Sequence, residues 1–328
     1  MIEKNIEFVF QNSNLGSYYG NVGICLYLAK SNPTLATFVL NNILKNIQNL
    51  NIDFRNGLTG FVIALQHLKN IGLFNGDINL LINETDTLLF RKIAFDNCDD
   101  LTITEIIEFI YYETWRLENI DSDEEKYLHI ELIKTMTDSL FSYVTPEALL
   151  EPMHYSLEYK LPQILWILSK VYHCKIYQDR ITKMLEMFSP LILFKMPILH
   201  ANRLTVMWAL KRLTKECHLG NNWREYLELL EHNIDLNIIL NKEVANSIYL
   251  ENGVSSIYYI LKDLPEINCQ DNNFRNKILN IIENSTEMKL LEMNEAYLRN
   301  HLGLYNGYSG VALTKHIIEK ENGKICCN

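Results

Sequence analysis

Four side chains with metal-binding or acid–base chemistry stand directly before, or at the start of, strongly apolar segments of this sequence. They are His154, Glu158, His200 and Glu251. Two histidines and a carboxylate are enough to hold a catalytic zinc ion with one open position. Glu158 and Glu251 would instead be the acid and base of a glycoside hydrolase if their separation were suitable. The favoured interpretation is a third one, a polar pocket rim that holds no metal.

Further residues in the same positions have the chemistry of peptide binding. They are Tyr18, Tyr19, Arg203, Asn252, Tyr305 and Asn306. Aromatic rings and a guanidinium are typical anchors of protein interfaces, and amides bind peptide backbones. We therefore predict that these residues line the rim of a pocket, with ordinary surface positions as the alternative. His67 and His316 fall inside predicted helices and are expected to be core or surface residues.

The elements that must position these side chains are repeated units, each opening on a glycine. Four segments align, beginning at Tyr19, Asn56, Asn252 and Asn306. Each has a polar or aromatic residue, a glycine, two further residues, a small residue and then an apolar run. The glycines of the pattern are Gly20, Gly23, Gly57, Gly60, Gly253, Gly307 and Gly310. The runs are apolar all round, which is typical of buried helices.

Three degenerate units complete the series. Residues 159–168 and 201–210 keep the apolar run but lack the glycines. The gap between Gly57 and Lys160 is about twice as long as the other spacings, so one more unit is expected there. We place it on a predicted helix from Thr104 to Trp115, which makes seven units in all.

Amphipathic segments alternate with these units. In Thr34 to Leu50 the apolar residues recur every four positions among polar ones, which predicts a helix with one buried stripe. The same pattern is found over Ile78 to Phe95, Leu128 to Tyr143, Trp223 to Leu240 and Phe274 to Leu291. The acidic stretch from Asp121 to Glu125 is expected to be a solvated loop.

The two kinds of helix predict an all-α fold. Helices that are apolar all round must be enclosed, and amphipathic helices must shield them. An inner ring of about seven helices inside an outer ring is an α/α toroid, expected here as a single domain over residues 1–328. An open superhelical stack is the alternative. It would place its atypical units at the ends, whereas here they lie in the middle of the chain.

The glycines are expected to serve this architecture. Glycine allows neighbouring backbones to approach closely, and it also allows the positive φ of a sharp turn. All the turns should lie at one end of the ring, toward which the positive ends of the inner helix dipoles point. Side chains just before each glycine would then converge on a central pocket.

The seven cysteines predict neither a disulfide framework nor a metal site. An odd, scattered set without a Cys-x-x-Cys pair fits a reducing compartment. Cys217-His218 precedes a helix of the outer type, so we expect it at the opposite end of the ring from the candidate rim. Cys326-Cys327 is expected to be a frayed tail rather than a ligand pair.

Charge and hydropathy exclude several classes of partner. The formal net charge of −10 argues against nucleic acid and against an anionic membrane surface, since both attract clustered lysine and arginine. No apolar stretch approaches the length of a membrane span, and the first residues do not form a signal peptide. The predicted location is the cytoplasm.

Three segments resemble the repeats of lanthionine synthetase C-like proteins. Residues 17–26 are similar to the first repeat of that family, and residues 56–68 with 72–77 are similar to the second. Residues 303–313 resemble the last. The resemblance is strong over 1–95 and 250–318 and weak between them. It implies a seven-unit α/α toroid, in agreement with the ring inferred from periodicity.

The resemblance also implies a chemistry that this sequence does not fully support. Enzymes of the family cyclise ribosomally made peptides with a zinc ion held by two cysteines and a histidine. The zinc-bound substrate thiol is deprotonated and attacks a dehydrated serine or threonine. The matching positions here hold Glu158, His200 with Ala201, and Glu251 with Asn252. We therefore predict that zinc and other cofactors are absent.

Three functions remain open at this stage. The favoured one is a divergent member of the family that lacks the zinc centre. It would bind a precursor peptide, or another maturation enzyme, in the biosynthesis of a lantibiotic or a related ribosomal peptide. The second is an active cyclase with an atypical His and Glu centre. The third is a toroid hydrolase or lyase that acts on sugars.

Overall fold

The computed structural model describes residues 15–95, 100–264, 266–267 and 272–323. These residues form sixteen α-helices and no strand, which confirms the all-α class. The helices are α1 (Asn21–Ser31), α2 (Pro33–Lys45), α3 (Leu58–Asn70), α4 (Asn79–Phe95), α5 (Ile103–Glu118), α6 (Asp123–Tyr143), α7 (Lys160–His173), α8 (Gln178–Ile192), α9 (His200–Glu216), α10 (Asn221–His232), α11 (Leu236–Ile238), α12 (Val254–Lys262), α13 (Asn272–Asn284), α14 (Thr286–Met293), α15 (Glu295–Asn300) and α16 (Tyr308–Glu321). No helix in the described ranges is long and apolar enough to cross a membrane.

The chain forms two compact units. The terminal unit consists of Met1–Thr87 and Val244–Asn328, and the central unit consists of Leu88–Glu243. One division between them falls within α4. A single domain over 1–328 and the toroid arrangement stay predictions.

Within the terminal unit, the glycine-opened helices lie side by side. Helix α12 contacts α16, α16 contacts α1, and α1 contacts α3. The last helix of the described residues, α16, therefore packs beside the first, α1. The amphipathic helix α2 packs on α1, and α13 packs on both α12 and α16. Buried side chains such as Ile24, Phe61, Ile257 and Val311 fill the space between these helices.

The central unit repeats this arrangement with the degenerate units. Helix α7 lies between α5 and α9, and α6, α8 and α10 pack on α5, α7 and α9 in turn. Helix α5 is the unit that was expected from Thr104 to Trp115, so its existence is confirmed. Thr102 and Glu105 form a capping box that begins it.

The opening glycines are confirmed as helix starts, but not through positive φ. Gly20, Gly57, Gly253 and Gly307 are the N-caps of α1, α3, α12 and α16, with φ between −145° and −124°. These values lie in the extended region, which other residues also adopt. The expected role in a positive-φ turn is therefore wrong at these four positions.

Close backbone approach explains the second glycine of each pattern. A Cβ atom on Gly23, Gly60 or Gly310 would overlap the carbonyl oxygen of the residue six positions earlier in the chain. These oxygens belong to Ser17, Phe54 and Leu304. Three units therefore share one contact, in which the first turn of the helix rests on its own preceding loop.

A hydroxyl group closes the same loop in three units. The side chains of Thr59, Ser255 and Ser309 each donate to the carbonyl oxygen seven positions earlier, at 2.5–3.2 Å. All three hydroxyl-bearing residues are buried. The bond gives a loop carbonyl in the interior a hydrogen-bond partner.

Several predicted helix bounds need correction. The loop expected at Asp121 to Glu125 is wrong from Asp123 onward. Ser122 is the N-cap of α6, so the helix already begins at Asp123. The three acidic residues of its first turn stabilise it through their attraction to the positive end of the helix dipole. Residues 223–240 are not one helix, because α10 ends at His232 and Asp235 caps α11. Residues 274–291 are likewise divided, because Ser285 caps α14.

Candidate functional site

Four turns of the terminal unit are joined by backbone hydrogen bonds. In each turn the residue that forms these bonds stands two positions before the opening glycine. The four residues are Tyr18, Arg55, Glu251 and Tyr305. The N–H of Glu251 donates to the carbonyl of Tyr305, that of Tyr305 to Tyr18, and that of Tyr18 to Arg55, each at 2.9 Å. The four residues therefore lie in the order Glu251, Tyr305, Tyr18, Arg55. We call this set the rim row.

The side chains of the rim row are in contact as well. The rings of Tyr18 and Tyr305 are stacked, with centroids 4.6 Å apart. The guanidinium of Arg55 lies 5.4 Å from the centroid of Tyr18, within cation–π distance. Phe54 and Tyr19 meet these rings edge-on at 6.1 and 6.4 Å. Tyr305 is buried and the other aromatic residues are half-buried.

The rim row has a defined chemical order. It begins with a carboxylate, continues with two stacked phenol rings and ends with a guanidinium. Because backbone bonds fix the spacing of the four turns, the side chains are held close to one another before any ligand arrives. Preorganised aromatic rings and opposite charges of this kind are able to orient a ligand.

Asn252 and Asn306 stand next to the rim row. The side-chain oxygen of Asn252 accepts a hydrogen bond of 2.6 Å from the Ser247 hydroxyl, so this amide braces its own turn. Asn306 is half-buried between Tyr305 and the opening glycine Gly307. The structure thus places Glu251, Asn252, Tyr305 and Asn306 together at the turns of the terminal unit.

The predicted site residues of the central unit hold loops together. Arg203 donates to the backbone carbonyls of Pro197, Ile198 and Asn233 at 2.6–3.0 Å. His200 accepts the backbone N–H of Asp235 on its Nδ1, at 3.0 Å. The two side chains therefore tie the segment before α9 to the connection between α10 and α11.

These bonds do not fit the predicted zinc alternative. The lone pair of His200 Nδ1 is occupied, so a neutral ring carries its proton on Nε2 and offers no lone pair to a metal. The Glu158 carboxylate lies 3.4 Å from the ammonium of Lys160, and His154 is exposed. In the described parts of the chain, no three His, Cys, Asp or Glu side chains cluster closely enough to hold a metal ion.

The candidate metal-binding pair Cys217-His218 is also unfavourable for holding a metal. Burial, together with the nearby charge of Glu216, raises the pKa of Cys217 to about 12, so its thiol is protonated at neutral pH. His218 beside it is exposed. The pair Cys326-Cys327 lies outside the described residues. His67 is exposed on α3, and His316 is half-buried on α16.

Sequence reasoning missed two carboxylates at the start of α9. Glu243 accepts the backbone N–H groups of His200 and Ala201 at 2.9 and 2.7 Å. Glu151 accepts those of Ile198 and Leu199 and also the amide of Asn202, at 2.6–2.9 Å. They satisfy the first N–H groups of a helix whose N-cap, Leu199, has no capping side chain. The unusual leucine N-cap is the one sequence signal that a distant cap was required.

Three aromatic residues also line up across helices α5, α7 and α9 of the central unit. Tyr111 lies 5.2 Å from Trp166, Trp166 lies 6.4 Å from Trp208, and the guanidinium of Arg212 covers Trp208 at 4.9 Å. The rings pack on one another, so their first role is to join α5, α7 and α9.

A comparison with known protein families finds no match, and a comparison with curated proteins finds none either. The resemblance to lanthionine synthetase C-like proteins therefore depends on the sequence motifs alone and stays a prediction. Function has to be inferred from the geometry of the rim row and of the turns around it.

Proposed function

We propose that this chain is a divergent lanthionine synthetase C-like protein that binds a peptide without using zinc. Its role would be to hold a precursor peptide, or a partner enzyme, during the maturation of a ribosomally made peptide in the cytoplasm. The observation that carries the proposal is the rim row of Glu251, Tyr305, Tyr18 and Arg55. The free thiols of Cys25, Cys174 and Cys217 agree with a reducing compartment.

The dimensions of the rim row suit an extended peptide. Backbones joined by hydrogen bonds, as these turns are, lie roughly 4.8 Å apart, so the row spans on the order of 15 Å. That is the length of about five extended residues. Tyrosine supplies a large contact area with little loss of conformational freedom, which is why it is common in peptide-binding surfaces.

The opposite charges at the two ends of the rim row predict the orientation of the bound peptide. Glu251 favours a basic residue at one end of the bound peptide, and Arg55 favours an acidic residue or a carboxylate at the other. A peptide with opposite charges about five residues apart would match both ends. Between them, the half-buried ring of Tyr18, stacked on the buried Tyr305, favours an apolar or aromatic residue in the middle.

The binding test starts from a phage-displayed library of random 12-residue peptides. The peptides that the chain enriches are labelled with fluorescein, and their affinity is measured by fluorescence polarisation. We expect Tyr18→Leu to weaken binding at least about tenfold, as the loss of an aromatic anchor does. Tyr127→Leu is the matched control, because Tyr127 is 66% exposed on α6 and lies outside the rim row.

A change of charge makes the test sharper. Selection with Arg55→Glu should replace acidic residues by basic ones at one end of the enriched peptides. The proposal fails if no peptide is enriched, or if Tyr18→Leu and Tyr127→Leu bind the enriched peptides equally well.

The competing functions predict different results. Stoichiometric zinc in the purified protein that is lost in His200→Ala would contradict the zinc-free proposal. The formation of thioether rings in a dehydrated peptide would contradict it as well. Release of reducing sugar from polysaccharides would support the hydrolase alternative, and its absence would remove that alternative.

A further inference from the structure

A cavity of about 410 Å³ lies in the central unit, between the loop before α7 and the segment that joins α8 to α9. Its wall is mostly apolar and includes Leu150, Leu161, Ile192 and Ile198. The polar side chains of its lining are those of Glu151, Tyr159 and Lys195. Sites for small molecules are typically concave and apolar, with a few polar groups of this kind. We call this cavity the Tyr159 pocket.

The hydroxyl of Tyr159 distinguishes the pocket from an ordinary apolar cleft. Tyr159 is the N-cap residue of α7 and is only 5% exposed. Within the part of the chain that the structure describes, no group forms a hydrogen bond with its hydroxyl. Burial, the charge of Glu151 and the nearby Tyr226 raise the pKa of this phenol, so the hydroxyl lies on the same side as the Glu151 carboxylate. A buried hydroxyl normally has a partner, which a ligand in the pocket would supply.

The carboxylate of Glu151 gives the pocket a surplus of hydrogen-bond acceptors. It accepts three N–H groups, whereas a carboxylate has about four acceptor sites. It has no ion-pair partner among the described residues. The amide of Asn202 donates to it, and the side-chain oxygen of the same amide is buried without a partner in the described ranges. A matching ligand therefore brings N–H donors and a positive charge.

Lys195 does not supply this charge from within the chain. It lines the pocket, but its side chain is exposed, and its ammonium is attracted to the exposed Glu147. The negative charge of Glu151 thus remains available to a cation that enters the pocket.

We propose that the Tyr159 pocket binds a small primary amine with an apolar body. The ammonium donates to the Glu151 carboxylate, with the Tyr159 hydroxyl oxygen as a second acceptor, and its three N–H groups are enough for both. The apolar body packs against Leu161 and Ile192. The net charge of −10 also attracts cations to the chain. The pocket consists of residues of the central unit alone, so this inference goes beyond peptide binding and does not depend on it.

Three small molecules with the same phenyl ring test the class of ligand. The probe is 2-phenylethylamine, a cation, and it is compared with the neutral 2-phenylethanol and the anionic 3-phenylpropanoate in saturation-transfer NMR titrations. We expect a dissociation constant below about 1 mM for the amine, binding at least about tenfold weaker for the alcohol, and none for the acid. The inference is overturned if the amine does not bind, or if the alcohol or the acid binds as tightly as the amine.

Two variants locate the bound amine. Tyr159→Phe removes only the hydroxyl and should weaken binding at least about fivefold. Leu150→Lys should abolish binding, because it adds a competing ammonium beside Glu151 at a position that is already 63% exposed. Glu151 itself is left unchanged, since its bonds hold the start of α9.

The matched controls for these variants lie on α6, outside the pocket. They are Tyr127→Phe and Leu128→Lys, at positions that are 66% and 41% exposed. Both should bind the amine as the unaltered chain does, and circular dichroism checks that all four variants keep their helices. If Tyr159→Phe or Leu150→Lys, with its helices intact, binds the amine as tightly as its control, the amine does not occupy the Tyr159 pocket and the inference is wrong.

Discussion

At the scale of single residues, Gly60 shows why the repeated motif needs glycine at its second position. The residue sits in the first turn of α3, and a Cβ atom there would overlap the carbonyl of Phe54. Backbone atoms cannot move aside as the end of a flexible side chain can. The loop carrying Phe54 also carries Arg55 of the rim row, so the glycine indirectly determines where that guanidinium lies.

We therefore expect Gly60→Ala to lower the free energy of unfolding by about 1–3 kcal/mol, the usual range for overpacking a close contact. Urea denaturation followed by circular dichroism measures it. Gly220→Ala serves as the control, because a Cβ at Gly220 would meet no atom within 4 Å beyond its two chain neighbours. Equal stability losses in the two variants would show that the Phe54 contact is not the reason for the glycine.

Arg203 gives a second prediction at this scale, because the structure changes its expected role. It bonds three backbone carbonyls, so Arg203→Ala should lower the free energy of unfolding by about 2–3 kcal/mol. Arg203→Lys should recover only part of this loss, since an ammonium lacks the planar fork of donors. The affinity of the folded protein for the selected peptides should not change. A loss of affinity at unchanged stability would return Arg203 to the binding site.

At the scale of helices, apolar periodicity predicts the positions of the helices more reliably than it predicts their ends. The buried helices opened by glycine begin as predicted, because their turns leave a clear sequence pattern. The breaks at Asp235 and Ser285 were missed, since both positions lie within continuous amphipathic periodicity. A capping side chain that bonds the next N–H groups is enough to restart a helix there.

The same scale provides a prediction of pH dependence. Burial alone would raise the pKa of Glu321, but hydrogen bonds from Lys262 and Tyr258 and the charges of Lys262 and Arg275 lower it below 4.5. The carboxylate thus joins α16 to α12 and α13. Because the pKa of Glu321 is lower in the folded state, the carboxylate contributes to the free energy of unfolding in full above about pH 5. This contribution is lost as the pH falls through the folded pKa.

Glu321→Gln should therefore destabilise the protein by about 1 kcal/mol at pH 7, the scale of a partly exposed ion pair. The difference from the unaltered chain should shrink as the pH falls below about 4.5 and should vanish below the folded pKa, where the native carboxylate is itself protonated. Urea titrations at several pH values measure this difference. A destabilisation that is the same at pH 7 and at pH 3.5 would contradict the proposed role of the charge.

At the scale of the whole molecule, the pairing of the last repeat with the first was predicted only in outline. The sequence motifs at both ends indicated related units, and periodicity favoured a closed series. The bonds between Tyr305 and Tyr18 could not be predicted, because they join residues almost 300 positions apart in the chain. The roles of Glu151 and Glu243 were missed for the same reason, since each reaches a helix start 42 or more positions away in sequence.

Gly303 is the residue at which this long-range pairing can be tested. A Cβ atom there would overlap the backbone of Tyr18 and Tyr19 in the first repeat. Gly303→Ala should therefore force the last and first repeats apart and lower the free energy of unfolding by about 1–3 kcal/mol. Native-state hydrogen exchange distinguishes a separation of the two repeats from a local effect around residue 303. Amides of α1 should exchange faster, although α1 is far from residue 303 in sequence.

The pattern of exchange decides whether the repeats support each other across the chain ends. Helices of the central unit, such as α7, should change less than α1 and α16 do. The control Gly220→Ala should leave α1 unchanged. If Gly303→Ala accelerates exchange in α16 alone, the first repeat does not depend on the last. The bond between Tyr305 and Tyr18 would then be too weak to hold the rim row in place, and the preorganised peptide site would lose its structural basis.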